Sequence, residues 1–281
     1  PLQHRLARGL DRAHRGPGHV ERTGQYSRCG LGSRFAPIEE KDDPILENPS
    51  DAIIKIQATS ICGTDLHMVR GTMAGMKKGT TLGHEAVGIV EQIGSDVSRI
   101  KVSDRVVVTS TIACGQCVYC EAQEFSSCDY SNPKGTEAGT AFFGGPELTG
   151  PFDGLQAEKA LIPFADTNLI KIPESVSDED ALLISDVFPT GYMGAEMADV
   201  QEGDIIAVFG CGPVGQFAIA SAFLLGAKTV IAVDAIEDRL AMAQAQGAIA
   251  VNYEKVDPIA ELKKLSNGFG PDGCIDAVGI D

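Results

Sequence analysis

Basic charge is scarce in this sequence. Its 23 Lys and Arg stand against 39 Asp and Glu, a formal net charge of -16 at pH 7 over 281 residues. That balance argues against nucleic acid and against an anionic membrane as partners, since both are bound through cations that neutralise phosphate. Long hydrophobic runs are also lacking. The most apolar stretch, Phe217 to Ala227, falls well short of the roughly 20 residues of a membrane span and suits a buried helix. No secretory signal is recognised at the start, and no repeat of about 20–50 residues recurs. The eight Cys are therefore expected in a reducing, cytoplasmic setting, as metal ligands rather than disulfides.

What is present is a globular balance of 43% hydrophobic and 22% charged residues. The length suffices for two domains with a sizeable core. Residues 1–41 stand apart. The first 40 hold seven Arg, no Lys, four acids and three of the five His: His4, His14 and His19. They show no sustained apolar periodicity, so no element is expected there. An organellar transit peptide, a disordered arm and an out-of-frame coding artefact are the competing readings.

From about Asp42 the pattern changes. Asp51–Ala58 alternates as a strand does, and Gly83–Ile93 and Asp104–Thr109 read as further short strands between Gly-bearing and charged turns. Strands so spaced predict a small β-barrel or sandwich-like unit. Residues 110–160, rich in Gly, Cys and Pro, read as lobes and loops. Ser177–Ile184 begins a helix, with acids in its first turn. From Asp204 strands and helices alternate: strands at 204–209, 229–233, 249–251 and 273–278, with helices at 213–225, 236–246 and 259–265 between them. That order predicts a parallel, doubly wound sheet.

Three motifs carry chemistry. Cys114, Cys117, Cys120 and Cys128 follow C-x2-C-x2-C-x7-C. Four thiolates so close in sequence can wrap one tetrahedral zinc, leaving no open position, so the role is structural. An iron–sulfur cluster uses the same ligand type, and four unrelated thiols remain the plain alternative. The second constellation is dispersed: Cys62 in ICGTDLH, His84 and Glu85 in LGHE, and Asp186. Taken singly, such residues are more often structural, and spacing alone does not join them. The third is Gly210-Cys-Gly212-Pro213-Val214-Gly215, a G-x-G-x-x-G between an apolar strand and an apolar helix, with Asp234 closing the next strand. Glycines there let the backbone approach a pyrophosphate at a helix N-terminus. Asp234 can accept both hydroxyls of a ribose and repels a 2′-phosphate, which favours NAD. A tight strand–helix turn is the alternative.

Taken in order, ICGTDLH, LGHEAVGIVEQIG, SDRV, the four-Cys lobe, the PTGY turn and GCGPVG resemble the medium-chain, zinc-containing alcohol dehydrogenase family, from about Asp42 to Asp281. SDVFPTGY and GTAFFGGPELTGPFDGLQAE look most like its formaldehyde dehydrogenase-like branch. The resemblance implies a GroES-like β catalytic domain over 42–187, with its zinc lobe at 110–130. An incomplete Rossmann domain would follow over 188–281. It implies two zinc ions per chain, one structural and one catalytic. Cys62, His84 and Asp186 are the implied catalytic ligands, with Asp where many members have Cys and with Glu85 beside the metal. Thr64 and His67 match the proton relay. Thr190 and Val214 match residues backing the nicotinamide, and Gly210, Gly212, Pro213, Gly215, Asp234 and Arg239 complete the NAD site.

The implied reaction transfers hydride between a small alcohol or aldehyde and NAD. A polyol- or threonine-type dehydrogenase, and an inactive zinc-binding fragment, are the rival readings. Family members run roughly 100 residues further. On that ground the Rossmann sheet is expected to be truncated, with a strand edge bare, this chain to be a poor enzyme, and the family's homo-oligomer to be in doubt for it.

Overall fold

Alternation at Ala52–Thr59 becomes the middle of a sheet, because Ala52, Ile53 and Ile54 are buried while Lys55 is not. The computed structural model describes residues 25–27 and 37–279, apart from 133, 136 and 137. His4, His14 and His19 lie outside the described residues. Within the first 41 positions, where no element was expected, β1 (Gln25–Ser27) pairs antiparallel with β2 (Ile38–Glu40).

Five strands then form one antiparallel sheet. They are β3 (Ala52–Thr59), β4 (Ala86–Ile93), β5 (Arg105–Val108), β6 (Lys159–Ile162) and β7 (Leu169–Lys171), in the order β6-β3-β4-β5-β7. Two register shifts between β3 and β4 bend the ladder. Side chains alternate between faces. Ile54, Val90, Val106, Val108 and Ile162 pack with Ile112, Phe143 and Leu155 in one core, whereas Val87 and Val107 meet Ile172 and Ala181 on the other face.

Helices inserted between these strands carry the chemistry. α1 (Gly63–Arg70) follows β3, and the short α2 (Val118–Glu121) and α3 (Ala165–Asn168) flank the lobe and β7. α4 (Asp178–Ile184) starts where the sequence predicted, with the Ser177 hydroxyl accepting the Asp180 N–H at 3.1 Å. α5 (Val187–Met197) was not anticipated: the PTGY segment, read as a turn, lies inside it. Pro189 falls in the first turn, where its missing N–H costs nothing.

The remainder alternates as expected: β8 (Ile205–Phe209), α6 (Pro213–Leu224), β9 (Thr229–Asp234), α7 (Glu237–Ala245), β10 (Ile249–Asn252), α8 (Pro258–Leu265) and β11 (Gly273–Asp276). The four strands are parallel, ordered β10-β9-β8-β11. Both faces are covered, as a parallel sheet requires. Ile206, Val208, Val230 and Ala232 pack on Ala218, Ile219 and Ala222 of α6 and Leu240 of α7, while Ala207, Ile231 and Val233 pack on Leu262 of α8. The sheet thus delivers Gly210 and Asp234 side by side at the carboxyl ends of β8 and β9, the edge where doubly wound sheets bind ligands.

Candidate metal and dinucleotide sites

Three separate stretches of chain converge on one point. Cys62 is the residue before α1, His84 and Glu85 enter β4, and Asp186 precedes α5. Their ligating atoms all lie within 4.8 Å of one another. His84 Nε2 stands 3.2 Å from Asp186 Oδ2, and Cys62 Sγ stands 3.9 Å from the same oxygen. Ligands at about 2.0–2.3 Å around a tetrahedral zinc are about 3.3–3.8 Å apart, so the spacing fits that ion.

Electrostatics point the same way. Burial penalises the His84 cation, yet Asp186, Asp65 and Cys62 outweigh it and push His84 up to about 12. A cation at the centre would displace that proton from His84 and take its place against the same acidic groups. Glu85 is pushed up to about 7, chiefly by burial. Asp186, despite its own burial, is held low by His84, Thr190 and Ser110.

Local structure fixes these groups. Asp65 accepts the Cys62 N–H at 2.8 Å and the Gly83 N–H at 3.2 Å, tying the start of α1 to the entry of β4. It also accepts from Gln156 Nε2 at 3.2 Å, and its contact with His84 Nδ1, at 3.4 Å, is at the outer limit of a hydrogen bond. Asp65 was not singled out by the sequence reading, although it stands three residues after Cys62, the capping-box offset. Ser110 was also missed, and nothing in the sequence marks it; it donates to Asp186 Oδ1 at 3.2 Å. Thr190 donates to the same oxygen at 3.1 Å. The Thr64 hydroxyl lies 3.9 Å from Cys62 Sγ, while His67 Nδ1 is paired with the Thr72 hydroxyl at 2.8 Å.

The lobe forms a second cluster. Cys114, Cys117, Cys120 and Cys128 also have their sulfurs within 4.8 Å of one another. The separations of 3.9 Å (Cys114–Cys120), 3.5 Å (Cys117–Cys120) and 3.8 Å (Cys117–Cys128) far exceed a disulfide's ~2.05 Å and fit a tetrahedron of thiolates. Backbone N–H groups point at the sulfurs: Cys114 N–H to Cys128 at 3.3 Å and Gln116 N–H to Cys114 at 3.5 Å. Burial works against a Cys128 thiolate, but Ser131 and the backbone N–H groups hold it down at about 6.

In the glycine loop each glycine has its own reason. Gly210 adopts φ +85°, and a Cβ on Gly215 would sit 1.8 Å from the Gly210 carbonyl oxygen, so the fold itself demands both. Gly212 differs: its φ is -67°, and a Cβ there would meet nothing within 4 Å. The space beside it, at the N-terminus of α6, is open to a group approaching from outside, and the chemistry of a helix N-terminus suits a pyrophosphate. Pro213 and Val214 form the first turn of α6. The buried Asp234 accepts the Cys211 N–H at 2.7 Å, closing the loop onto β9, and the Ala235 and Ile236 N–H groups at 2.7 and 2.9 Å. Arg239 stands 3.7 Å from its carboxylate.

Known proteins share this organisation. A model of the alcohol dehydrogenase GroES-like domain matches residues 48–174, and one of zinc-binding dehydrogenases matches 213–281. An uncharacterized zinc-type alcohol dehydrogenase-like protein of Bacillus subtilis is 42% identical, over 89% of this chain and 66% of its own length. A glutathione-independent formaldehyde dehydrogenase of the same organism is 41% identical, over 82% of this chain and 56% of its own. Among solved structures, an alcohol dehydrogenase from Thermus sp. ATN1 superposes with a TM-score of 0.83 at 34% identity, covering 91% of this chain and 71% of that one. The chain spans between about half and two thirds of the length of these two curated relatives.

Proposed function

The chain belongs to the medium-chain, zinc-containing alcohol dehydrogenase family, and from that premise we propose that it transfers hydride between a small alcohol or aldehyde and NAD. The observation that carries the reading is the convergence of Cys62, His84, Glu85 and Asp186 in one buried acidic pocket. The proposed division of labour places the catalytic domain at 42–187 and the cofactor domain at 188–281. One zinc is assigned to Cys62, His84 and Asp186, and a second, structural one to the four-Cys lobe.

Zinc in the first site would supply a Lewis acid that lowers the pKa of a hydroxyl brought to it. The chain's own residues do the rest. Cys62, His84 and Asp186 leave one tetrahedral position for the substrate oxygen. Thr64 Oγ1, beside Cys62, accepts the hydroxyl proton. His67, its Nδ1 held by the Thr72 hydroxyl, passes it to solvent. Glu85, whose carboxyl burial pushes up to about 7, would be close enough to serve as a replaceable ligand. Gly210, Gly212, Pro213, Val214 and Gly215 cradle the cofactor pyrophosphate. Asp234 takes the adenosine ribose, with Arg239 neutralising part of its charge, and Thr190 and Val214 back the nicotinamide. Asp at position 186 and the formaldehyde dehydrogenase among the relatives support a short-chain alcohol or aldehyde as the substrate.

The test is nicotinamide reduction by zinc-loaded protein with a series of short alcohols and formaldehyde. An NAD preference of at least about tenfold in kcat/KM is expected from the carboxylate at Asp234. No turnover with any of them, or a preference for NADP, would count against the assignment.

A further inference from the structure

Asp186 is the N-cap of α5, yet its carboxylate makes no capping bond. Asp at an N-cap ordinarily accepts an N–H from the first turn. Here both oxygens are committed elsewhere. Oδ2 faces His84 Nε2 and Cys62 Sγ, while Oδ1 receives the hydroxyls of Ser110 and Thr190 at 3.2 and 3.1 Å. The two hydroxyls come from opposite sides. Thr190 lies one turn along α5, and Ser110 lies just past β5, where its own N–H is bound to the Ser185 carbonyl at 3.2 Å.

We propose that Ser110 and Thr190 are positioning residues for the metal: together they hold Oδ1 of Asp186, so that the carboxylate offers the cation one oxygen, Oδ2, in a fixed direction. The inference rests on the reading of Cys62, His84 and Asp186 as metal ligands. A carboxylate, unlike a thiolate, has a second oxygen that can swing in and bind bidentately, crowding the position a substrate needs. Two donors on that oxygen oppose the swing. They also satisfy the lone pairs of Oδ1, so that Oδ2 is the oxygen left facing the cation. A cysteine in the same place would have no second atom for the hydroxyls to hold, so the clamp belongs specifically to an aspartate ligand. Thr190 gives its one hydroxyl proton to Asp186, so toward a nicotinamide its hydroxyl can only accept.

The experiment compares the chain as it stands with Ser110→Ala, Thr190→Val and the double variant, and repeats all of them in an Asp186→Cys background. Zinc affinity is read by competition with a chromophoric chelator, and ligand geometry by the visible spectrum of the cobalt-substituted protein. The four-Cys site, untouched, serves as internal reference. With Asp186 in place the double variant is expected to lose about 10- to 100-fold in affinity at the first site, with Ser110→Thr restoring most of it. In the Asp186→Cys background the same substitutions are expected to change affinity by less than about threefold, because the hydroxyls have nothing left to orient. Equal losses in both backgrounds would show that the hydroxyls support the fold rather than the ligand, and unchanged affinity in the double variant would remove the clamp outright. A parent chain that binds metal only at the four-Cys site would overturn the reading of the ligands and the clamp with it.

Discussion

Glycines 212 and 215 sit three residues apart and answer to different demands. A Cβ on Gly215 collides with the Gly210 carbonyl at 1.8 Å, whereas one on Gly212 enters open space. Gly215→Ala is therefore expected to lower the melting temperature clearly, because backbone must move. Gly212→Ala should stay within roughly 0.5 kcal/mol of the parent in stability while weakening NAD binding. Thermal melts beside dinucleotide titrations separate the two. Unaltered NAD affinity in Gly212→Ala would mean that no pyrophosphate approaches there. Asp166 supports a second residue-level expectation. Burial opposes its charge, but the Ser98 N–H and hydroxyl, the Arg99 N–H and the Arg99 cation hold its pKa below the usual 3.8. For a carboxyl depressed in the folded state, the stabilisation is full above the unfolded pKa and disappears as pH falls through the folded one. Asp166→Asn should lose stability at neutral pH, with the difference from the parent shrinking as pH falls below the ordinary carboxylate range and through the depressed folded-state pKa. A constant difference between the two across pH would contradict this.

Helices α5 and α6 cross closely enough that a Cβ on Gly191 would lie 2.7 Å from the Ala218 backbone nitrogen. Since Asp186 is the N-cap of α5, any push on this crossing moves a ligand. Gly191→Ala is expected to cost about 1–3 kcal/mol, as overpacking does, and to weaken zinc at the first site but not at the lobe. Stability lost with both metals still tightly held would separate the crossing from the site. The same helix shows why part of the fold was hidden in the sequence. Pro189 to Tyr192 read as a turn, because the close approach that Gly191 permits involves residues of α6, beyond an intervening strand. α1 was missed because only Asp65 and Met68 of its eight residues are buried, too few for an apolar stripe. β6 and β7 are three or four residues long and lie beside Gly- and Pro-rich chain. By contrast, β8 and β9 stood out as apolar runs bounded by turns, since the inner strands of a parallel sheet are buried on both faces. The lobe was legible because its ligands are local. The dispersed site was not, because only the fold brings position 186 to positions 62 and 84; family resemblance, not spacing, joined them.

At the scale of the whole chain, acidity and acid resistance come apart. The sequence pI is about 4.7, so net charge vanishes there and mutual repulsion with it. Asp104, Asp153, Asp166 and Asp234 all have pKa values lowered from the ordinary 3.8 in the folded state. Their stabilising contributions persist at pH 4.7 and fade only lower. Light scattering is expected to peak near pH 4.7 on protein whose circular dichroism is still native, with unfolding at lower pH. Loss of native signal that precedes scattering on acidification would reverse that order. Among the described residues no helix is long and apolar enough to cross a membrane. A different consequence follows from the place of Asp186. It is the last residue before a helix that packs on α6 and β11, yet it belongs chemically to the metal pocket. Were this chain spliced to a relative between Ser110 and that residue, the imported dinucleotide half would bring its own third ligand with it. Ser110 would stay behind on the other fragment. Hybrids that inherit a cysteine would leave Ser110 without its acceptor, and the reciprocal hybrids would hold an aspartate with one hydroxyl too few. Ser110 and residue 186 are thus expected to be exchanged as a pair, across a junction that otherwise looks free to cut.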